Sequence, residues 1–237
     1  MKIAIFGDSY AASTGPTSWG SLLSTMNNCE VENFAGRGSS LFYSYLKFKE
    51  NYKNFDVTIF LVTNPGRLYH PEQILANIFT LEYRLSTGPH SLEVESILQA
   101  AMQYFLHLQN SEFDNFVHLS IIEKIVQLSK ENDKKVIMLP SQGESKDMEI
   151  MPYSGGGFFL DRINIEERKH FGVSHKGMHF EKARLQNHIS DTNNLIFAKL
   201  LSRIINGEEL KIYAEDFNYR PDEDPDIYYD MEKMKEL

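Results

Sequence analysis

The sequence predicts a three-layer α/β/α domain around a mostly parallel sheet of about five strands. Three observations predict this fold: short apolar runs rich in β-branched residues, amphipathic helical patterns that alternate with them, and a length of 237 residues. Alternating strands and helices are typical of βαβ units, which place helices on both faces of a parallel sheet. A chain of this length suits one large domain that buries roughly 70–75% of its unfolded surface.

Four segments are predicted to be strands: residues 1–6, 29–34, 56–63 and 134–139. The run 56–63 is apolar and β-branched enough to be buried on both faces of a sheet. Helical periodicity predicts helices over 18–26, 112–131 and 194–205, the last closed by the stop signal Asn206-Gly207. We therefore looked for chemistry directly after each strand, because ligands bind at the carboxyl ends of strands in such sheets.

Two stretches depart from the alternation. Residues 71–110 are mostly helical in pattern but contain Gly88-Pro89, which indicates an insertion near the edge of the sheet. Residues 141–186 are predicted to form a long loop, with three consecutive glycines at 155–157. Loops this long are often lids or binding elements. The main domain is predicted over 1–206, with these two features inside it.

Residues 207–237 are predicted to be an acidic extension. Eleven acidic and four basic residues there account for −7 of the net charge of −9, which leaves a nearly neutral body. Such a body has no basic surface for nucleic acid, so no nucleic-acid partner is expected. Because the extension contains five tyrosine and phenylalanine residues, we expect it to pack on its own domain or on a partner subunit.

The single cysteine, Cys29, excludes an internal disulfide framework and a cysteine-rich zinc site. The first residues lack the apolar run of a signal peptide, and no run of 18 apolar residues predicts a membrane span. We therefore expect a soluble, cytoplasmic protein. The sequence leaves a homo-oligomer open.

Ser9 follows the first predicted strand in the run Gly7-Asp8-Ser9-Tyr10. A serine at a sharp strand-to-helix turn exposes its hydroxyl beside backbone N–H groups, as a nucleophile and its oxyanion require. The alternative is a plain turn, since all three residue types favour turns.

Three further segments carry candidate groups. The glycine-rich run 36–39 could offer a backbone N–H to a substrate oxygen or cradle a phosphate, although it lacks the dinucleotide fingerprint. Asn64 follows the next strand and has an amide suited to an oxyanion, but Asn-Pro-Gly is also a common turn. His188 precedes the last helix and could act as a general base, while Asp191 is most simply a helix N-cap, with Ser190 and Thr192 as competitors.

The order of these segments, Gly-Asp-Ser, then glycine, then asparagine, then a histidine before a helix, resembles the SGNH hydrolase superfamily, the GDSL esterases and lipases. The resemblance spans roughly residues 1–205, with its motifs in four short blocks, and implies a flavodoxin-like sheet. It implies that Ser9 is the nucleophile and an oxyanion donor, that Gly38 (or Gly36 in another register) and Asn64 are the other donors, and that His188 is the base. No metal or organic cofactor is implied.

The sequence departs from the family in two blocks. Thr63 and Pro65 flank Asn64 where the family usually has glycine and aspartate, and Leu185 stands where the last block has the triad aspartate. Losing that acid in a Ser-His-Asp triad costs about 10⁴ in turnover. A backbone carbonyl could orient His188 instead, or the acid could be Asp161, Glu181 or Asp191.

The resemblance implies hydrolysis of carboxylic esters, with acetyl or short acyl groups, on a carbohydrate or another small molecule, as the favoured substrates. A rival hypothesis is a binding or structural module that keeps the fold and has lost activity, for which Leu185 and the acidic extension are the evidence. A flavodoxin-like nucleotide binder using residues 36–39 is a weaker rival. Sequence does not separate a hydrolase from an acyltransferase, because only the acceptor differs.

Overall fold

The structure is a computed structural model that describes residues 1–12, 14–87, 89–141, 189–210, 212 and 216–217. Its centre is a sheet of four strands: β1 (Lys2–Gly7), β2 (Glu30–Asn33), β3 (Val57–Val62) and β4 (Lys135–Pro140). The strand order is β2-β1-β3-β4 and every pair is parallel. The predicted α/β class and parallel sheet are therefore correct, with four strands rather than five in the described part of the chain.

Six α-helices accompany the described sheet: α1 (Trp19–Asn27), α2 (Leu41–Asn51), α3 (Ile78–Ser86), α4 (Leu92–His107), α5 (Ser111–Glu131) and α6 (Asp191–Ile205). A short 3-10 helix, Tyr52–Asn54, follows α2. The helix α2 was missed by the sequence analysis. Its start lies directly after the glycine-rich turn, where Ser40 caps it by accepting a hydrogen bond from the Tyr43 N–H.

The side chains of each strand alternate between two cores, because successive residues of a strand point to opposite faces. Ile3, Ile59 and Ile137 pack with α1 and α6 on one face. Ala4 and Phe60 lie on the other face, where α2 and α5 cover them. Helices on both faces of one sheet make the predicted three layers.

The insertion at 71–110 contains α3 and α4, as its helical pattern predicts. A small apolar cluster of its own holds the two helices together, with Leu75, Leu81, Leu98 and Ala101 buried. The loop predicted over 141–186 falls, from residue 142, outside the described residues. Among the helices that the structure describes, none is long and apolar enough to cross a membrane.

Two described residues of the acidic extension lie in the core that α1 and α6 cover. Ile212 is fully buried and Phe217 is 6% exposed. The Phe217 ring lies 6.1 Å from that of Phe197 on α6, centroid to centroid. The division of the chain at 206/207 stays a prediction.

Candidate active site

Three residues predicted to carry chemistry, and one that was not predicted, Ser141, follow the strands at one edge of the sheet. Ser9 comes after β1, Gly38 after β2, Asn64 after β3 and Ser141 after β4. Because all described strand pairs are parallel, their carboxyl ends meet at the same edge. The topology therefore gathers the first three sequence blocks at that edge.

The turn after β1 is shaped by Gly7, whose φ is +152°. A Cβ there would lie 2.8 Å from the backbone oxygen and 2.9 Å from the Cβ of Leu61 on β3, so only glycine fits without a shift. Asp8 closes the turn, since its Oδ1 accepts a hydrogen bond of 3.1 Å from the Tyr10 N–H. Ser9 is half-buried, and neither its hydroxyl nor its N–H forms a hydrogen bond in the described structure.

A buried ion pair lies beneath this turn. The Asp8 side chain is fully buried, and its Oδ2 lies 3.4 Å from Nη2 of Arg67, whose side chain is 7% exposed. The same Oδ2 accepts a hydrogen bond of 2.9 Å from the Ser141 hydroxyl. Arg67 Nη1 donates to the backbone oxygen of Ser39 at 3.1 Å. These contacts connect the loops that follow all four strands.

The turn after β2 is held against β1 by two hydrogen bonds to the Gly7 carbonyl oxygen. The Gly36 N–H donates to it at 3.0 Å and the Ser39 hydroxyl at 2.9 Å. Gly38 has φ +67°, a left-handed conformation in which an added Cβ would also collide with Cγ2 of Ile74. Its N–H forms no hydrogen bond within the described residues, whereas the Gly36 N–H is already engaged.

Thr63 and Asn64 follow β3. Thr63 is 4% exposed, and its buried hydroxyl has no hydrogen-bond partner among the described residues. Asn64 is half-buried, and its side-chain amide forms no hydrogen bond to the part of the chain that the structure describes. An unengaged amide can bind a substrate oxygen without first breaking a bond to the protein.

The start of α6 corrects one expectation. Ser190, not Asp191, is the N-cap, because its side chain accepts a hydrogen bond of 3.2 Å from the Asn193 N–H. Asp191 is instead the first helical residue and is half-buried. The predicted base His188, the candidate acids Asp161 and Glu181, and Leu185 lie outside the described residues. Where Asp191 lies relative to His188 therefore stays untested.

The sequence analysis missed the Asp8–Arg67–Ser141 cluster. It treated Asp8 as a possible turn residue and gave Arg67 no role, because each stands beside glycine in a turn-forming run. The available signal was position: each of the three follows a buried strand by one to five residues. Among the described residues there is no group of three histidine, cysteine or acidic side chains that could hold a metal ion.

No family model and no curated protein sequence matches the chain. Several solved structures match the chain. A protein from Desulfitobacterium hafniense DCB-2 assigned to the G-D-S-L lipolytic family shares 12% identity over 86% of this chain and 98% of that one, with a TM-score of 0.44. The acetyl xylan esterase AlAXEase shares 14% over 88% of this chain and 100% of that one, with a TM-score of 0.34.

A third match is a carbohydrate esterase family 2 enzyme with a carbohydrate-binding domain from Corynascus thermopiles. It shares 10% identity over 86% of this chain and 65% of that one, with a TM-score of 0.39. The three matched structures share 10–14% identity with this chain, and the order of its sequence blocks resembles that of the SGNH hydrolases.

Proposed function

We propose that the protein hydrolyses carboxylic esters of acetyl or other short acyl groups through an acyl-Ser9 intermediate. One observation carries the proposal. The Ser9 hydroxyl and N–H, the Gly38 N–H and the Asn64 amide all follow strand ends at one edge of the sheet, and none is engaged within the described structure. A nucleophile and three unengaged donors are the groups that acyl transfer requires.

In the proposed reaction, His188 takes the proton of the Ser9 hydroxyl as Oγ attacks the acyl carbonyl carbon. The oxyanion accepts hydrogen bonds from the Ser9 and Gly38 N–H groups and from the Asn64 amide. The C–O bond to the alcohol then breaks, and the alcohol leaves with the proton that His188 held. Water, deprotonated by His188, attacks the acyl-enzyme and releases the carboxylic acid and free Ser9.

The geometry favours Gly38 over Gly36 as the second donor. The Gly36 N–H would have to give up its 3.0 Å hydrogen bond to the Gly7 carbonyl oxygen, which holds the turn to β1. The Gly38 N–H has no such bond to lose within the described residues. The buried Arg67 supports this assignment, because it fixes the backbone of the next residue, Ser39.

Mass spectrometry after incubation with a fluorophosphonate tests the proposal. We expect one adduct on the wild-type protein, none on Ser9→Ala and a much slower adduct on His188→Ala. Ser120→Ala and His107→Ala are matched controls, because Ser120 lies on the exposed part of α5 and His107 at the end of α4. A folded wild-type protein that takes no adduct would favour the binding-module hypothesis.

The group that orients His188 is tested by Asp161→Asn, Glu181→Gln and Asp191→Asn. Replacing the acid that orients His188 would lower turnover by up to about 10⁴ and leave ester binding intact. If none of the three variants lowers turnover by more than a few fold, a backbone carbonyl is the remaining candidate.

Asn64→Ala is expected to lower kcat by about 10²–10³, as is usual for one oxyanion donor.

A further inference from the structure

A pocket of about 200 Å³ adjoins the proposed oxyanion donor. It lies between the turn 36–40 and the loop 68–74, with Tyr43 of α2 at its side. Gly38 is part of its wall, and Ile74 packs against Gly38. We call it the turn pocket. An ester held by Gly38 would have one of its two substituents beside this pocket.

His70 lines the turn pocket and carries a hydrogen-bond donor that its backbone contacts assign to one ring nitrogen. Its Nδ1 accepts hydrogen bonds of 3.1 Å from the backbone N–H groups of both Glu72 and Gln73. A nitrogen that accepts carries no proton, so the neutral ring has its proton on Nε2. That N–H forms no hydrogen bond within the described part of the chain, and is therefore available to a ligand.

Gln73 also lines the turn pocket and carries a second donor. Its Oε1 accepts a hydrogen bond of 2.8 Å from Nη2 of Arg84, which identifies the oxygen and leaves the NH₂ group on the other side of the amide. Arg84 also donates to the backbone oxygen of Ile74 at 3.0 Å, so it holds the end of the loop in place. The NH₂ group of Gln73 has no partner among the described residues.

The other polar residues of the pocket wall supply both hydrogen-bond donors and acceptors. Arg37 brings five N–H donors and Glu72 a carboxylate acceptor, and both are exposed, with no side-chain partner in the described structure. The hydroxyl groups of Tyr43 and Tyr69 can donate or accept. An acyl chain placed here would displace water from these groups without replacing its hydrogen bonds, which is unfavourable.

We propose that the turn pocket binds the alcohol part of the ester and selects a hydroxyl-rich, sugar-like alcohol, with His70 and Gln73 as its specificity-determining residues. Neighbouring hydroxyl groups both donate and accept, as the wall does, and the tyrosine rings supply apolar contact for the C–H faces of a sugar. The proposal rests on the proposed function in placing the ester carbonyl at Gly38.

Two substitutions remove the donors and keep the loop. His70→Asn retains an acceptor for the Glu72 and Gln73 N–H groups and lacks the distant Nε2–H. Gln73→Glu retains an oxygen for Arg84 and replaces the NH₂ group by a carboxylate oxygen. The matched controls are His107→Asn and Gln99→Glu, both on α4 and outside the pocket.

Binding is measured first, on the Ser9→Ala protein, so that it does not depend on catalysis. Nuclear magnetic resonance titration would use the methyl glycosides of glucose, galactose, mannose and xylose, with hexanol as the apolar comparison. We expect at least one glycoside to bind, and His70→Asn and Gln73→Glu each to weaken it about tenfold, with no change in the two controls. Binding of none of the glycosides, or binding that the pocket variants leave unchanged, would overturn the proposal.

Selectivity is measured second, on active protein, as the ratio of kcat/KM for a monoacetylated methyl glycoside to that for 4-nitrophenyl acetate. Both esters share the acetyl group, so their ratio reports the alcohol part alone. We expect each pocket variant to lower this ratio about tenfold, mainly through KM of the glycoside ester. An unchanged ratio overturns the assignment of the pocket while the proposed hydrolysis stands. Glycoside binding without any hydrolysis or Ser9 adduct would overturn the proposed function and leave the pocket as a sugar site.

Discussion

The loops at the carboxyl edge of the sheet and the insertion 71–110 are built in different ways. The edge loops are fixed by a buried ion pair and by hydrogen bonds that reach from one strand end to the next, such as that from Arg67 to Ser39. The insertion is held by four buried apolar side chains and by local caps. It also exposes large apolar side chains: Tyr83 is 67% and Leu92 87% exposed.

This difference indicates which region of the molecule holds its backbone and side chains in precise positions. A buried charge has few arrangements in which its hydrogen bonds are satisfied, so we expect the ion pair to restrict the arrangement of the edge loops. A small apolar cluster tolerates more shifts, because its contacts are not directional. The proposed catalytic groups lie in the first region, and half of the turn pocket comes from the loop that leads into the second.

The largest effect is expected for Arg67→Met. The substitution leaves the Asp8 carboxylate buried without its counter-charge, which typically costs about 3–5 kcal/mol in the free energy of unfolding. Arg84→Met is the matched change in the insertion and should cost about 1 kcal/mol, because Arg84 bonds neutral oxygens and strands no charge. Urea unfolding monitored by circular dichroism measures both. Similar losses in the two variants would contradict the contrast.

A leucine pair compares the two apolar clusters. Leu201→Ala, on α6 in the sheet core, and Leu81→Ala, on α3 in the insertion, both remove a fully buried side chain and should cost about 2–5 kcal/mol. We expect Leu201→Ala to speed hydrogen exchange in the strands. Leu81→Ala should speed it within α3 and α4 alone, because that cluster can open locally. Faster exchange in β1 and β3 of Leu81→Ala would show that the insertion is part of the same cooperative unit.

His118 on α5 gives a pH-dependent test. Burial lowers the pKa of its imidazole from 6.5 to about 4, since the charged form loses its hydration. The unfolded chain therefore binds the proton more readily, and stability should fall as the pH drops from about 6.5 to about 4, by up to about 3 kcal/mol. The free energy of unfolding of the wild type and of His118→Gln, measured across this pH range, tests the prediction. The loss should be smaller in the variant by that amount, and parallel curves would contradict the prediction.

The smallest expected effects are those of two helix caps. Ser190→Ala removes the cap of α6, which packs on the sheet, and Ser91→Ala removes that of α4 in the insertion. Each should cost about 1 kcal/mol locally. We expect the Ser190 variant to lower the midpoint of global urea unfolding and the Ser91 variant to alter mainly exchange within α4. Equal shifts of the global midpoint in the two variants would show that both helices belong to one cooperative unfolding unit.

Much of the fold could be predicted from the sequence because its signals are local. Apolar β-branched runs predicted all four described strands to within two residues of their ends. The helix α2 was missed because its aromatic side chains follow a glycine-rich turn without a break, and the turn signals dominated. The predicted start of α6 was three residues late, since polar residues fill its first turn.

For the candidate site, the sequence alone determined which residue types follow which strands: Ser9, Gly38 and Asn64. Only the tertiary structure decided that the Gly36 N–H is engaged, that Asp8 and Arg67 form a buried pair, and that His70 and Gln73 line one pocket. The physical reason is the sequence separation over which each kind of interaction acts. Strand and turn propensities act between neighbours in the chain, whereas burial of a charge and the direction of a hydrogen bond depend on segments that meet only when the sheet assembles.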